Sequence, residues 1–448
     1  MQFGFAKSDI TPRVGVELSG FGPFLNRRSI AIRDRLWARA MAVCEGDRTI
    51  IVNSNDIIGV NRETAAQVRQ LVTDATGVPG EAVMVHCTHT HSGPATGTYS
   101  GWGETDLPYI ELLPDRIAAA CIQAVQSLQE ATVSHAEVPC EGVGLNREYD
   151  IDAPPLEEVL SDDWRPAKPE LTDTTCHVIT VHSGDALLGF ASYFGCHPVV
   201  CCSQSRYIHG DYAGVATNLL EREHPGSIGL FLQGAQGDVN SCVGHKSEQE
   251  SLLALDVIAA RYARCVRRGI EVAQPLEVDR VEVVRREAQF SRREYSLEDF
   301  QALLAEQEAI IHAPGASEAD NTVRLATVKA IAYRRFIEAL QQGRPLVKPT
   351  VIQGIRLGPL GLYASPFEIF QAIKNEVVEG ARAPVPVVLG VANDSLGYAP
   401  DHEAAVRGGY AADQVPLMQG TLPFANIHDE LVEALLDLDE ELFGDHDG

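Results

Sequence analysis

The stretch Val83-Met84-Val85-His86-Cys87-Thr88-His89-Thr90-His91-Ser92-Gly93-Pro94 constrains the fold most. Val83 to Val85 are apolar, which suits a buried strand, and Gly93-Pro94 stops the run. Three histidines fall within six residues at its end. Residues two apart in a strand share a face, so His89 and His91 are expected to point the same way. Two imidazoles on one face at a strand end suit a divalent metal, or one metal and its water. They also suit a pair of hydrogen-bonded core histidines, and the stretch alone leaves both readings open.

The same pattern recurs along the chain. Leu36 to Val43 and Thr49 to Asn53 read as strands around a Glu45-Gly46-Asp47 turn, and the second ends in Ser54-Asn55-Asp56. Glu63 to Thr76 and Asp106 to Leu128 have helical spacing, the latter with Ile110, Leu113, Ile117, Cys121 and Val125 on one stripe. Thr132 to Val138 is a strand leading to Leu145-Asn146-Arg147, and 150–173 reads as an exposed loop. Thr175 to Val181 and Ala186 to Phe194 form a hairpin that runs into Gly195-Cys196-His197-Pro198. Ile228 to Leu232 ends at Gln236-Gly237-Asp238-Val239-Asn240, and Leu276 to Phe290 alternates as a long strand. Leu297 to Ile311 and Asn321 to Gln342 predict a helical pair, at about 297–343, serving as a lid or packing layer. Val351 to Leu357 and Gly361 to Ala364 form another hairpin, and a helix is expected from Glu368 to about Val378 with Glu368 in its first turn. Pro386 to Val391 runs into Asn393-Asp394-Ser395-Leu396-Gly397-Tyr398. Strands alternate with helices throughout, so the fold class is α/β, with mixed β-sheets flanked by helices and polar residues gathered at the strand ends.

Composition narrows the function. A chain of 448 residues with 45% hydrophobic and 22% charged content has ample core material. Its net charge of −26 argues against nucleic acid and anionic membrane surfaces, both of which reward Lys and Arg. No signal peptide is legible at the start, and no apolar run approaches a membrane span. Ten cysteines without a Cys-x-x-Cys pair read as reduced thiols, so a cytoplasmic location is expected. There is no Gly-x-Ser-x-Gly elbow for a serine hydrolase and no strand leading into Gly-x-Gly-x-x-Gly for a dinucleotide.

The polar strand ends are His89 and His91, Arg147, His197, Asp238 and Asn240, Glu368, and Asn393 with Tyr398. Two histidines and a glutamate from separate strand ends are the ligand set of a catalytic zinc site with an open position. Zinc held this way keeps net positive charge, lowers the pKa of bound water to about 7 and polarises a carbonyl. A nearby arginine or second histidine then holds an oxyanion or moves a proton. For Glu368 the alternative is a first-turn carboxylate favoured by the helix dipole, and for Tyr398 a core aromatic.

His89-Thr90-His91-Ser92-Gly93-Pro94, Leu145-Asn146-Arg147, Gly195-Cys196-His197-Pro198, Gln236-Gly237-Asp238-Val239 and Asn393-Asp394-Ser395-Leu396-Gly397-Tyr398 recur in this order as a set. With the opening Gly4-Phe5-Ala6-Lys7-Ser8-Asp9-Ile10-Thr11-Pro12, the set resembles the catalytic domain of the neutral/alkaline (non-lysosomal) ceramidase family over most of residues 1–425. The resemblance implies a zinc amidohydrolase in which metal-activated water attacks an amide carbonyl. It places the zinc (Zn2+) ligands on His89, His197, Glu368 and Tyr398, and puts His91, Arg147 and Tyr410 beside the substrate. One departure falls at the substrate side: the family's serine after Gly-Asp-Val is here Asn240, which hydrogen-bonds a hydroxyl but does not ionise.

The expected protein is thus a single ceramidase-like catalytic domain over 1–448, without the C-terminal sandwich domain of true ceramidases. A small soluble amide or lactam is the expected substrate. An ester or lactone cleaved at the same zinc site is the alternative, as is a non-catalytic metal- or ligand-binding relative. The expected partner is a small molecule, with neither nucleic acid nor a stable membrane association, and a homo-oligomer stays open.

Overall fold

The computed structural model describes residues 1–149, 154–244 and 246–444. Residues 150–153 of the expected 150–173 loop therefore lie outside the described residues, and the rest of that loop holds two short helical turns, Leu156–Val159 and Pro169–Leu171.

Among the described residues, three larger sheets and their helices make the body of the fold. In sheet one, β1 (Gln2–Asp9) and β3 (Arg48–Asn55) pair antiparallel with β2 (Trp37–Glu45), and β4 (Val83–Cys87) runs parallel to β3. Helices α1 (Arg62–Thr76) and α2 (Leu107–Gln126) cover it. Its central strands are covered on both faces, so they read as nearly continuous apolar runs. Asn61 caps α1 by accepting from the Thr64 N–H, and Gly77, at φ 76°, closes it in the left-handed conformation that glycine adopts freely.

Sheet two has β5 (Thr132–Pro139), β6 (Thr175–Ser183) and β7 (Ala186–Phe194) as an antiparallel meander, with β8 (Ile228–Gln233) parallel to β7. Helices α3 (Asp211–Glu223) and α4 (Glu248–Val272) pack on its outer side. Sheet three has β9 (Val281–Ala288), β10 (Thr350–Leu357), β11 (Leu360–Ala364) and β12 (Val385–Leu389), the last parallel to β11. The expected long strand from Leu276 is thus shorter than its alternation suggested. It sits at the sheet edge, where charged residues blunt further pairing. The helical pair α5 (Leu297–Ile311) and α6 (Asn321–Gln341) follows β9 in the chain. Helices α7 (Gln371–Gly380) and α8 (Ile427–Phe443) cover the outer face of sheet three.

The inner faces of all three sheets share one core, in which Ile51, Val85, Leu230, Ile355 and Leu362 are fully buried. The loops after β4, β8 and β12 are knitted together at one end of it. The Gly390 N–H donates to Gln233 O at 3.1 Å, and the Gln233 N–H donates to His86 Nε2 at 3.0 Å. His86 is therefore a core histidine. Burial lowers its pKa to about 4, which keeps it neutral and able to accept.

Two local expectations are corrected. Glu368 does not open a helix. Glu368–Ile369 forms a short parallel ladder with Tyr398–Ala399, and α7 begins at Gln371. Phe367, Ile369 and Phe370 are all buried, so tertiary burial overrides a local helical pattern. Nor do His89 and His91 extend a strand. β4 ends at Cys87, and His89 takes a positive φ of 67°. The Thr88 and His89 N–H groups instead donate to Asn55 O and Ile57 O, turning the chain across the end of β3.

Candidate metal centre

The centre is assembled from loops that leave three sheets. His89 follows β4, His197 follows β7, and Glu368 follows β11. His89 Nδ1 lies 2.6 Å from Ile58 O, and His197 Nδ1 lies 2.5 Å from Gln236 O and 3.2 Å from Val239 O. A carbonyl only accepts, so each Nδ1 carries the proton and each Nε2 presents a lone pair. Both Nε2 atoms face one oxygen of Glu368: Oε2 is 2.9 Å from His197 Nε2 and 3.5 Å from His89 Nε2. Burial lowers His197 to about 4, against the opposing pull of Glu368.

Three acceptor atoms thus converge with no proton of their own between them. Donors 2.0–2.1 Å from a tetrahedral zinc stand about 3.3 Å apart, and the observed 2.9 and 3.5 Å bracket that separation. Imidazoles whose second nitrogen is fixed by a carbonyl are the usual outer support of a metal site. The donor set therefore fits a zinc-sized cation.

The other expected residues gather around it. The nearest ring nitrogens of His89, His91 and His197 lie within 4.8 Å of one another, and the His91 ring is 5.0 Å from His89 and 5.8 Å from His197. Both His91 nitrogens are buried with no hydrogen-bond partner among the described residues. Burial, with the neighbouring imidazoles, lowers its pKa well below the ordinary value and leaves it neutral. Phe21 meets the ring edge-on at 5.1 Å, and Gly20, at φ +117°, leaves room for it, since a Cβ there would fall 2.4 Å from the imidazole. The buried Arg27 guanidinium donates to the Ser19, His91 and Ser205 carbonyls and fixes this turn.

Tyr398 pairs with Glu368 in the short ladder, so the two side chains share a face. The Arg147 guanidinium lies 4.9 Å from the Tyr398 ring centroid, and its Nη1 donates to Asn240 Oδ1 at 3.5 Å. Its Nη2 is buried and unpaired among the described residues. Asn240 reaches the centre through Arg147 and is not a wall of the pocket. Tyr410, 48% exposed, stands at the rim with its ring 6.0 Å from Tyr398. Asp238 ties the parts together. Its Oδ1 accepts from the Gln371 N–H and its Oδ2 from Asn146 Nδ2, while its carbonyl accepts from the Arg147 N–H.

Sequence reasoning missed Tyr99. Its hydroxyl lies 3.4 Å from Glu368 Oε1 and 2.8 Å from Ser395 Oγ, so it holds the carboxylate oxygen turned away from the imidazoles. Its only trace in the sequence is one of two aromatics, with Trp102, in the glycine-rich loop 95–106. With Ile58, Trp102, Val415 and Met418 it lines a pocket of about 390 Å³, mouth included, that opens onto His89, His91 and Glu368.

The family model described as neutral/alkaline non-lysosomal ceramidase, N-terminal, matches residues 1–267. That stretch contains His89, His91, Arg147, His197 and Asn240; Glu368, Tyr398 and Tyr410 lie beyond it. A neutral ceramidase from Mycobacterium tuberculosis is 24% identical over 244 residues, which is 48% of this chain and 36% of that relative. The alignment thus spans about a third of the curated relative's length. A crystal structure of neutral ceramidase from Pseudomonas aeruginosa superposes with a TM-score of 0.73 at 18% identity, covering 98% of this chain and 74% of that one. A structure of a ceramidase complexed with C2 gives 0.75 at 18% identity, covering 98% and 75%. At that identity the likeness speaks for the fold, and it extends the match past residue 267. With a family model matching more than half of its residues, the chain belongs to the neutral/alkaline non-lysosomal ceramidase family.

Proposed function

We propose that the protein is a zinc-dependent hydrolase that cleaves an amide or lactam bond in a compact substrate. The observation that carries this reading is the convergence of His89 Nε2 and His197 Nε2 on one oxygen of an ionised Glu368, with both Nδ1 atoms pinned by carbonyls. These three residues would hold the metal, with Tyr398 beside them as the fourth ligand. Bound zinc supplies Lewis acidity and hydroxide at neutral pH. His91, neutral and with both nitrogens unspent, takes the proton released on attack and returns it to the departing nitrogen. Arg147, steadied over Tyr398, turns its unpaired Nη2 to the developing oxyanion. Tyr410 meets the substrate's polar groups, and Asn240 holds Arg147 in place through its Oδ1.

The pocket opening onto the centre is narrow, closed in by Tyr99, Trp102, Val415 and Met418, which supports a compact substrate over a long-chain lipid. No described helix is long and apolar enough to cross a membrane. Ten unpaired cysteines, eight of them buried, support a reducing and hence cytoplasmic compartment.

Metal analysis and a substrate panel test the reading together. The purified protein should retain one tightly bound zinc, lost in His89→Ala/His197→Ala, and should turn over at least one small amide or lactam. Undiminished zinc in the double variant rejects the centre. Activity confined to esters and lactones keeps the centre and rejects the amide, and zinc without turnover of any class favours a binding protein.

A further inference from the structure

A second pair of histidines meets a carboxylate on sheet two, away from the centre. Antiparallel pairing of β5 with β6 sets Glu137 opposite His177 and His135 opposite Ile179. His135, Glu137 and His177 therefore stand on one face of two rigid neighbouring strands. His135 Nε2 lies 3.2 Å from His177 Nδ1, and Glu137 Oε1 lies 3.8 Å from that same Nδ1. The three donor atoms all fall within 4.8 Å of one another. The ring centroids are 5.4 Å apart, close to the 5.1 Å between His89 and His197.

Proton counting shows what this cluster lacks. Burial lowers both imidazoles, His177 to about 3, so the pair is neutral near pH 7. Two neutral imidazoles meeting nitrogen to nitrogen share at most one proton between them, and the carboxylate contributes none. The three donor atoms lie within 4.8 Å of one another, close enough for one ion to take the place of the proton the two imidazoles share. The separations of 3.2 and 3.8 Å lie around the roughly 3.3 Å that tetrahedral zinc imposes on its donors. Tyr193, opposite His177 on β7, meets the ring edge-on at 5.5 Å and limits its rotation. Lys374 also bears on His177, but its ammonium lies 3.7 Å from the Asp173 carboxylate, which balances its charge.

We propose that His135, Glu137 and His177 form a second divalent-metal site on the face of sheet two, sharing no residue with the catalytic centre. Two imidazoles and one carboxylate select zinc, nickel or copper over magnesium or calcium. The ligands are only partly buried, so the ion keeps water in its remaining positions and exchanges more readily than one at the centre. Its effect is to clamp β5 to β6.

Equilibrium dialysis of the intact protein against zinc chloride, with metal analysis of each variant, tests this. Glu137→Gln, an exposed change, and His177→Gln should each lower saturating zinc by about one ion per chain. Each should leave turnover unchanged, and each should still unfold cooperatively on heating. His89→Ala/His197→Ala should keep the readily exchanging ion and lose the tight one, so failure of one site is told apart from failure of the other. Equal zinc content in wild type, Glu137→Gln and His177→Gln overturns the proposal. So does calcium displacing the exchanging zinc at equal concentration.

Discussion

Arg147 and His86 show how burial divides roles among charged and titratable side chains. Arg147 is spread over Tyr398 and Asn240 and keeps one nitrogen unspent, an arrangement that depends on a planar fork. Lysine has no such plane, so Arg147→Lys should lower kcat by about 100-fold, the scale for losing one oxyanion donor, with little change in thermal midpoint. Steady-state kinetics beside a melting curve check this, and a wild-type kcat rejects the role. Tyr398→Phe should keep the fold and weaken zinc retention or turnover; wild-type values of both exclude a ligand. His86 does the opposite job, accepting a backbone N–H deep in the core. Its folded pKa of about 4 lies below the ordinary value of 6.5. The unfolded chain therefore takes up a proton first as pH falls. Stability owed to neutral His86 is intact above pH 6.5 and drains away as pH drops toward 4, by about 3 kcal/mol over the whole interval. Urea unfolding of wild type and His86→Gln across that interval should show a steeper decline for wild type; parallel curves would refute it. Strand parity sets His86 apart from His89 and His91 but does not say what any of the three meets. Which of them meets a backbone donor and which meets a carboxylate depends on strands far away in the chain.

Elements tell the same story at larger size. The pair α5 and α6 carries no chemical motif, and the sequence allowed it to be a lid or a packing layer. It is a packing layer with a task. Phe300 and Phe336 stack at 4.6 Å and join Tyr333, Leu417 and Leu422 in one cluster. Leu417 belongs to the short helix Val415–Gln419, whose Val415, Met418 and Gln419 line the pocket. Phe336→Ala should cost about 3–5 kcal/mol of stability through the cavity it leaves. It should also raise KM more than it lowers kcat, because the wall loosens while the centre stays. Denaturant melts and steady-state kinetics read both, and an unchanged KM would detach the pair from the pocket. The periodicity of these helices was legible because their apolar stripes are local. The ladder at Glu368 was not, since its pattern looks helical until Tyr398 arrives from thirty residues away to pair with it.

At the scale of the whole molecule, the proposed metal draws ligands from beyond all three sheets, Glu368 and Tyr398 both from the third, so it ties their ends together. Removing it should loosen the shared core. Excess chelator should lower the thermal midpoint of the wild type by an amount equivalent to about 4 kcal/mol if zinc is present at a thousand times its dissociation constant. The same chelator should lower the midpoint of His197→Ala much less, through the exchanging ion on sheet two alone, and an equal drop in both would place the effect elsewhere. The sequence by itself determined the α/β class, most strands and helices, and the residue types able to hold a cation, because hydrophobic period and chain breakers act over a few neighbours. The tertiary structure alone decided the turn at His89, the ladder that carries Glu368, the hold of Tyr99 on its far oxygen, and the meeting of His135 with His177. Each of these depends on which distant backbone or side chain arrives to satisfy a buried polar atom, and no local rule records that arrival.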